Sequence, residues 1–195
     1  MVKLLITGGY QVKVLTRSSA NAAHLPDEVT LIEGNLFNSA SLVELLNGCD
    51  AVVSCAGPPI KGKYNPEDYI QGMKLLIEGM ENLQVKRLIT IAGASIVLPG
   101  ERLKGKRKFL RVIFRLLFGK TVRTKDGETA LIANSNLRWT IVRPGFVKSA
   151  PDGKFNADEE KLGATSVDKI QLINFLVDGL NTEEWEGRAP LVATI

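Results

Sequence analysis

The sequence predicts an α/β fold: a doubly wound, mostly parallel central sheet with helices on its faces. Strand and helix signals alternate along the 195 residues, the pattern of successive strand–helix units. Several strands are short unbroken apolar runs, such as Ala51-Val-Val-Ser-Cys55, as expected of strands covered on both faces. Small residues crowd the carboxyl ends of the strands, at Thr7-Gly8, Cys55-Ala56-Gly57, Ala92-Gly93-Ala94-Ser95 and Pro144-Gly145. That edge is where open α/β sheets take up ligands.

Val2-Lys-Leu-Leu-Ile-Thr-Gly8 reads as a first buried strand and Gly9–Arg17 as a second. A parallel crossover between them needs a dozen or more residues. A link of two or three residues reaches only about 10 Å. Three readings stay open. The sequence as given omits about 15–20 residues near Gly8 and Gly9, the size of the turn and helix of a βαβ unit; the protein itself has lost them; or Ile6–Gln11 forms a hairpin on a Gly-Gly type I′ turn.

Val29–Glu33 is a third strand, closed by Gly34. Asn38 or Ser39 caps a helix that runs to Leu46 and stops at Asn47-Gly48. Ala51–Cys55 is the fourth strand. Asn65-Pro66-Glu67-Asp68 opens the next helix with a cap, a proline at the first position and acids in the first turn, and the helix extends to about Glu81. Arg87–Ile91 and Leu137–Val142 are the fifth and sixth strands. A last helix over about Val167–Leu180 precedes a final strand near Pro190–Ala193.

The length suits a single domain, residues 1–195, with a sizeable core. Hydrophobic residues at 45% and charged ones at 24% are ordinary for a globular protein. No apolar run approaches the ~18–20 residues needed to span a bilayer, and the N-terminus lacks a signal-peptide pattern. Cys49 and Cys55 imply no disulfide framework, so a reducing cytoplasm is expected. The charge is uneven. Ten of the 25 Lys and Arg lie between Arg102 and Lys125, a stretch without an acid, and the other 15 face 21 Asp and Glu. Within it, Lys106–Lys120 is amphipathic at helical spacing: Lys108, Arg111 and Arg115 share a stripe, and Phe109, Leu110, Val112, Ile113, Phe114, Leu116, Leu117 and Phe118 cover the rest. The expected role is a lid or core packing; a membrane or partner surface is the alternative. Nucleic acid is not expected, since a basic stripe alone is only an electrostatic footprint.

Leu4-Leu-Ile-Thr-Gly8, Glu33-Gly-Asn-Leu36, Val53-Ser-Cys-Ala-Gly57, Ile91-Ala-Gly-Ala-Ser95 and above all Glu128…Leu131…Leu137-Arg-Trp-Thr-Ile-Val-Arg-Pro-Gly145 resemble the short-chain dehydrogenase/reductase superfamily. More narrowly they resemble its atypical NAD(P)H-binding branch, with the NmrA-like and biliverdin reductase B/flavin reductase-like proteins. The resemblance implies a Rossmann-type fold binding NADP(H), with NAD(H) as the alternative. The chain departs from the pattern in three places. Most of the glycine-rich phosphate cradle is absent, Asn35 stands where Asp is usual, and no Tyr-x-x-x-Lys pair exists, because Tyr10, Tyr64 and Tyr69 are followed four residues on by Val14, Asp68 and Met73.

By that resemblance the cofactor would meet Thr7, Gly8, Gly9, Arg17, Asn35, Leu36, Cys55, Ala56, Gly57, Ala92, Gly93, Pro144 and Gly145. Arg17 ends the second strand, where an arginine accommodates a ribose 2′-phosphate through bidentate bonds; its plainer reading is a solvated surface residue. Gly57, Gly93 and Pro144-Gly145 line a nicotinamide pocket or merely end strands. Ser95 is the one candidate catalytic hydroxyl at the fifth-strand end, though such a serine more often caps a turn. His24, the only histidine, is expected on the surface, which leaves no histidine-based acid/base or zinc site. Cys55 is expected to be a small buried hydrophobe.

The expected activity is hydride transfer from NADPH to a small planar acceptor such as a flavin, quinone or biliverdin-like compound. The alternatives are a non-catalytic NmrA-like dinucleotide sensor and a degenerate member that no longer binds cofactor.

Overall fold

A computed structural model of the protein describes residues 1–59, 62–103, 105–149 and 152–195. Lys104 of the basic segment, and the side chains of Lys106 and Leu110, lie outside the described set. In chain order the elements are α1 (Val2–Thr7), β1 (Lys13–Thr16), β2 (Thr30–Glu33), α2 (Ser39–Leu46), β3 (Ala51–Ser54), α3 (Pro66–Asn82), β4 (Arg87–Ile91), α4 (Gly105–Ala133), β5 (Arg138–Pro144), β6 (Phe146–Lys148), β7 (Phe155–Asp158), β8 (Ser166–Asp168), α5 (Lys169–Asp178) and β9 (Leu191–Thr194).

The helix starts follow local chemistry. The Asn38 side chain accepts from the N–H groups of Ala40 and Ser41. Asn65 accepts from Glu67, with Pro66 at the first helical position. Asp168 caps α5 by accepting from Ile170 and Gln171. Each bond satisfies donors the first helical turn would leave orphaned.

The principal sheet has the order β3-β4-β5-β9-β7, with β3, β4, β5 and β9 parallel and β7 antiparallel at the edge. Alternate residues of its strands enter opposite layers. Leu88 and Ile141 pack with Leu42, Leu46, Met73, Leu76 and Met80 under α2 and α3. Their neighbours Ile89 and Val142 pack with Leu172 and Leu176 of α5 on the other face. Both faces are therefore covered, as the apolar runs predict.

The start of the chain corrects the expectation from sequence. Val2–Thr7 is a six-residue helix, not a strand, and the second strand shrinks to Lys13–Thr16. Five residues separate Thr7 from Lys13, too few for a parallel crossover, so the segment runs the other way. Met1 packs on the same core cluster as Val53 and Ile91, and its ammonium bears on the Cys55 thiol at the carboxyl end of β3. Tyr10 reaches the opposite edge, where its hydroxyl donates to the Asn181 Oδ1 at 2.9 Å. α1 thus descends and β1 climbs back.

One consequence organises the molecule. β1 pairs only with β2, in parallel, and β3 pairs only with β4. Between β1 and β3 lies a slot of about 1440 Å³, walled by Val12–Arg17 on one side and Ala51–Gly57 on the other. A central strand would fill that place in an unbroken sheet.

Candidate functional site

The carboxyl-edge mouth of the slot gathers six of the expected cofactor residues: Arg17 and Asn35 from the β1–β2 side, Leu36 beside them, and Cys55, Ala56 and Gly57 at the end of β3. Arg17 is exposed and forms no ion pair among the described residues. Asn35 is partly committed, because its Oδ1 accepts from the Phe37 N–H at 2.8 Å in a local turn, and its amide Nδ2 remains to address a ligand. Tyr69 also lines the slot and meets Phe37 edge to face, with ring centroids 5.7 Å apart.

Other expected residues lie elsewhere. Thr7 ends α1, where its hydroxyl donates to the Lys3 carbonyl at 2.9 Å, and Gly8 follows it as the helix cap. Gly9 lines the slot beside Tyr10 and Asn181, at the amino edge of the sheet. Thr7, Gly8 and Gly9 therefore do not form a phosphate cradle at the carboxyl edge; the reversed direction of α1 carries them away from it. Ala92, Gly93, Pro144 and Gly145 do not line the slot. The ends of β4 and β5 are instead tied together, with Ala92 N–H donating to Val142 and Ala94 N–H to Pro144, both at 2.9 Å.

The two distal glycines differ. A Cβ on Gly145 would lie 2.2 Å from the Thr165 carbonyl oxygen, so close backbone packing requires that glycine. A Cβ on Gly93 would meet nothing within 4 Å. Ser95 is buried, and its carbonyl accepts from Arg111 at 2.8 Å. Cys55 is exposed rather than buried, because no strand covers its side of β3. The surrounding walls push its thiol up from the ordinary value, against the pull of the N-terminal ammonium and Lys125, so it is not an activated thiolate. His24 is exposed, as expected.

Sequence reasoning missed Lys125. Its Nζ donates to the Ala56 carbonyl at 2.8 Å and pairs with the Glu128 carboxylate at 2.7 Å. A Cβ on Gly57 would meet its Cε at 3.3 Å. Burial pushes the Glu128 carboxyl up, while Lys125 pulls it down. One turn before Lys125, Thr121 shares a 3.3 Å hydrogen bond with the Tyr64 hydroxyl. A paired phenol and threonine therefore sit one helical turn from the ammonium group that meets the end of β3, although no Tyr-x-x-x-Lys spacing exists. Only the i, i+4 relation of Thr121 and Lys125 on α4 was visible beforehand, and it carries no signal without Tyr64.

No group of His, Cys, Asp and Glu among the described residues could hold a metal ion. No helix among them is long and apolar enough to cross a membrane.

A family model described as NAD(P)H-binding matches residues 1–183. The chain belongs to that NAD(P)H-binding family. Solved structures agree on the fold. ChuY, an anaerobilin reductase from Escherichia coli O157:H7, superposes with a TM-score of 0.80 at 16% identity, covering 98% of this chain and 88% of that one. A short-chain dehydrogenase/reductase of Veillonella parvula in complex with NADP gives 0.74 at 16% identity, over 98% and 87%. An oxidoreductase from Lactococcus lactis gives 0.75 at 18%, over 100% and 84%. No curated protein matches the chain in sequence. As a member of the NAD(P)H-binding family, the protein keeps the Rossmann-like sheet, with no strand between β1 and β3 among the described residues.

Proposed function

We propose that the protein binds NADP(H) along the carboxyl edge of its sheet and serves the transfer of a hydride to a small planar acceptor, a flavin, quinone or biliverdin-like compound. The observation that carries this reading is Arg17, an exposed cation without an ion-pair partner among the described residues, on the same cavity mouth as Asn35 and Cys55–Gly57. A guanidinium in that place suits a 2′-phosphate and favours NADP(H) over NAD(H).

The residues fit the two ends of the dinucleotide. Arg17 and the Asn35 amide would hold the adenosine end, and Ala56, Gly57 and the open space at Gly93 would admit the nicotinamide ring. The middle has no glycine turn, and what meets it at the carboxyl edge is the start of the short α1, Met1 and Val2, so affinity rests on the ends. The cofactor, when bound, supplies the hydride, and the protein supplies position and electrostatics. Lys125, fixed by Ala56 and Glu128, places a positive charge where an acceptor oxygen or nitrogen gains electrons. A planar acceptor that takes its proton from water needs no Tyr-Lys pair. That ChuY is named an anaerobilin reductase supports an acceptor of this shape.

Fluorescence titration with NADPH, followed by NADPH oxidation across a panel of flavins, quinones and bilins, tests the reading. Saturable binding and turnover with one acceptor are expected. Tight binding without turnover on any acceptor sinks the hydride-transfer half of it, and no binding sinks both halves.

A further inference from the structure

The first half of α4 is turned inside out. The helix breaks at Phe118, whose φ of −133° and ψ of 37° are not helical. Before the break, its inward face is built from arginines. Arg107 donates to the Glu101 Oε1 at 2.6 Å and Arg111 pairs with Asp126 at 2.7 Å. Arg111 also donates to the Ser95 carbonyl. Four of the apolar residues point outward: Phe109 is 69% exposed, Leu116 80%, Leu117 68% and Val112 52%. At about 100° per residue Val112, Leu116 and Phe109 fall on one stripe, and Lys108 and Arg115 run along one edge of it. Phe114 stacks inward on Phe118 and on Phe146, and Phe146 and Val147 carry exposed apolar surface on beyond the helix.

We propose that this face seats on an anionic lipid bilayer. Contiguous apolar surface of this kind, rimmed by charge, marks an interaction site. Its charge is single-signed. The acids near α4 are already engaged by inner or neighbouring cations: Glu101 by Arg107 and Arg143, Asp126 by Arg111, Glu67 by Arg123 and Glu128 by Lys125. Lys108, Arg115 and Lys120 have no ion pair among the described residues. An apolar stripe edged by unpaired Lys and Arg is the pattern of a helix lying in a bilayer surface, apolar side down and cations at the headgroups. A second copy is a poorer occupant, because a two-fold contact would bring Lys108 and Arg115 of one copy against those of the other. Nor does the face close over the slot, since none of the residues that line the slot comes from α4.

The test is co-sedimentation of the full chain with phosphatidylcholine vesicles, with and without phosphatidylglycerol. Partition onto the anionic vesicles is expected, weakening as salt rises, with little onto the neutral ones. The double variant Lys108→Glu, Arg115→Glu should lower the partition about tenfold or more. Leu116→Ser, Leu117→Ser should lower it comparably, with the circular dichroism spectrum and NADPH titration of the parent protein retained. A parent protein that stays in the supernatant overturns the proposal, and so does charge reversal without effect. Light scattering that shows dimers, dispersed by the leucine variant and indifferent to lipid, gives the face to a second copy instead.

Discussion

Arg143, 2% exposed at the end of β5, donates from Nη1 to the Glu101 carboxylate at 2.7 and 3.0 Å. The same guanidinium donates to the carbonyls of Ala189, Ile96 and Glu159. Four chain segments therefore converge on one side chain, and Glu101 is the carboxylate that neutralises it. Arg107 shares that carboxylate. Truncating Glu101 to Ala leaves a buried guanidinium without its counter-charge and is expected to destabilise the fold by on the order of 3 kcal/mol. Urea unfolding of the variant reads this directly.

Glu101 also sets an acid limit. Burial raises its carboxyl, but hydrogen bonds from Arg107 and the Leu98 N–H, with the charges of Arg143 and Arg107, outweigh burial and hold it below the ordinary value. A depressed carboxylate adds stability that is full above the unfolded value of about 4.3 and is lost as pH falls through the folded one. Unfolding free energy measured between neutrality and pH 3 should fall steeply in the parent protein and less so in Glu101→Gln.

Arg17→Glu replaces the expected 2′-phosphate ligand with a like charge. NADPH affinity should drop tenfold or more, consistent with about 1.5–3 kcal/mol for a hydrogen bond to a charged group, and NADH affinity should barely move. Parallel titrations with the two nucleotides decide it; equal losses would make Arg17 a general surface charge.

The glycines at Gly145 and Gly93 separate packing from site. Gly145→Ala must push aside the Thr165 backbone and should cost about 1–3 kcal/mol. Gly93→Ala meets open space and should leave the melting temperature nearly unchanged. Thermal unfolding of the pair gives the contrast.

Amide exchange should divide the sheet. A two-stranded ribbon is marginal by itself, so Val14, Leu15 and Ile32 of β1–β2 should exchange well ahead of Leu88 and Ile141 in the principal sheet. Uniform protection across both would show that the slot closes in solution.

What the sequence disclosed was mostly local. Asn38, Asn65-Pro66 and the run Ala51–Ser54 carry their own instructions, and the structure follows them. Val2–Thr7 was misread because its apolar, β-branched composition suits a strand, while its direction is set by five residues of link and the position of β1. The inward arginines of α4 were invisible for a similar reason: periodicity separates the faces of a helix, but Glu101, Asp126 and the Ser95 carbonyl decide which face turns in. Lys125 and Glu128 needed the end of β3 brought alongside α4 before their chemistry could be read. The residues gathered at the slot mouth, from Arg17 to Gly57, were anticipated because strand ends can be located from sequence alone.

In most sheets the margins are the weak places and the middle strands are the last to let go. Here β1 and β3 each leave one hydrogen-bonding side unpaired by any strand, across a gap at the heart of the molecule. Heating should therefore fray this sheet from its centre outward, with the first 35 residues detaching as a flap while the β3–β9 body still holds.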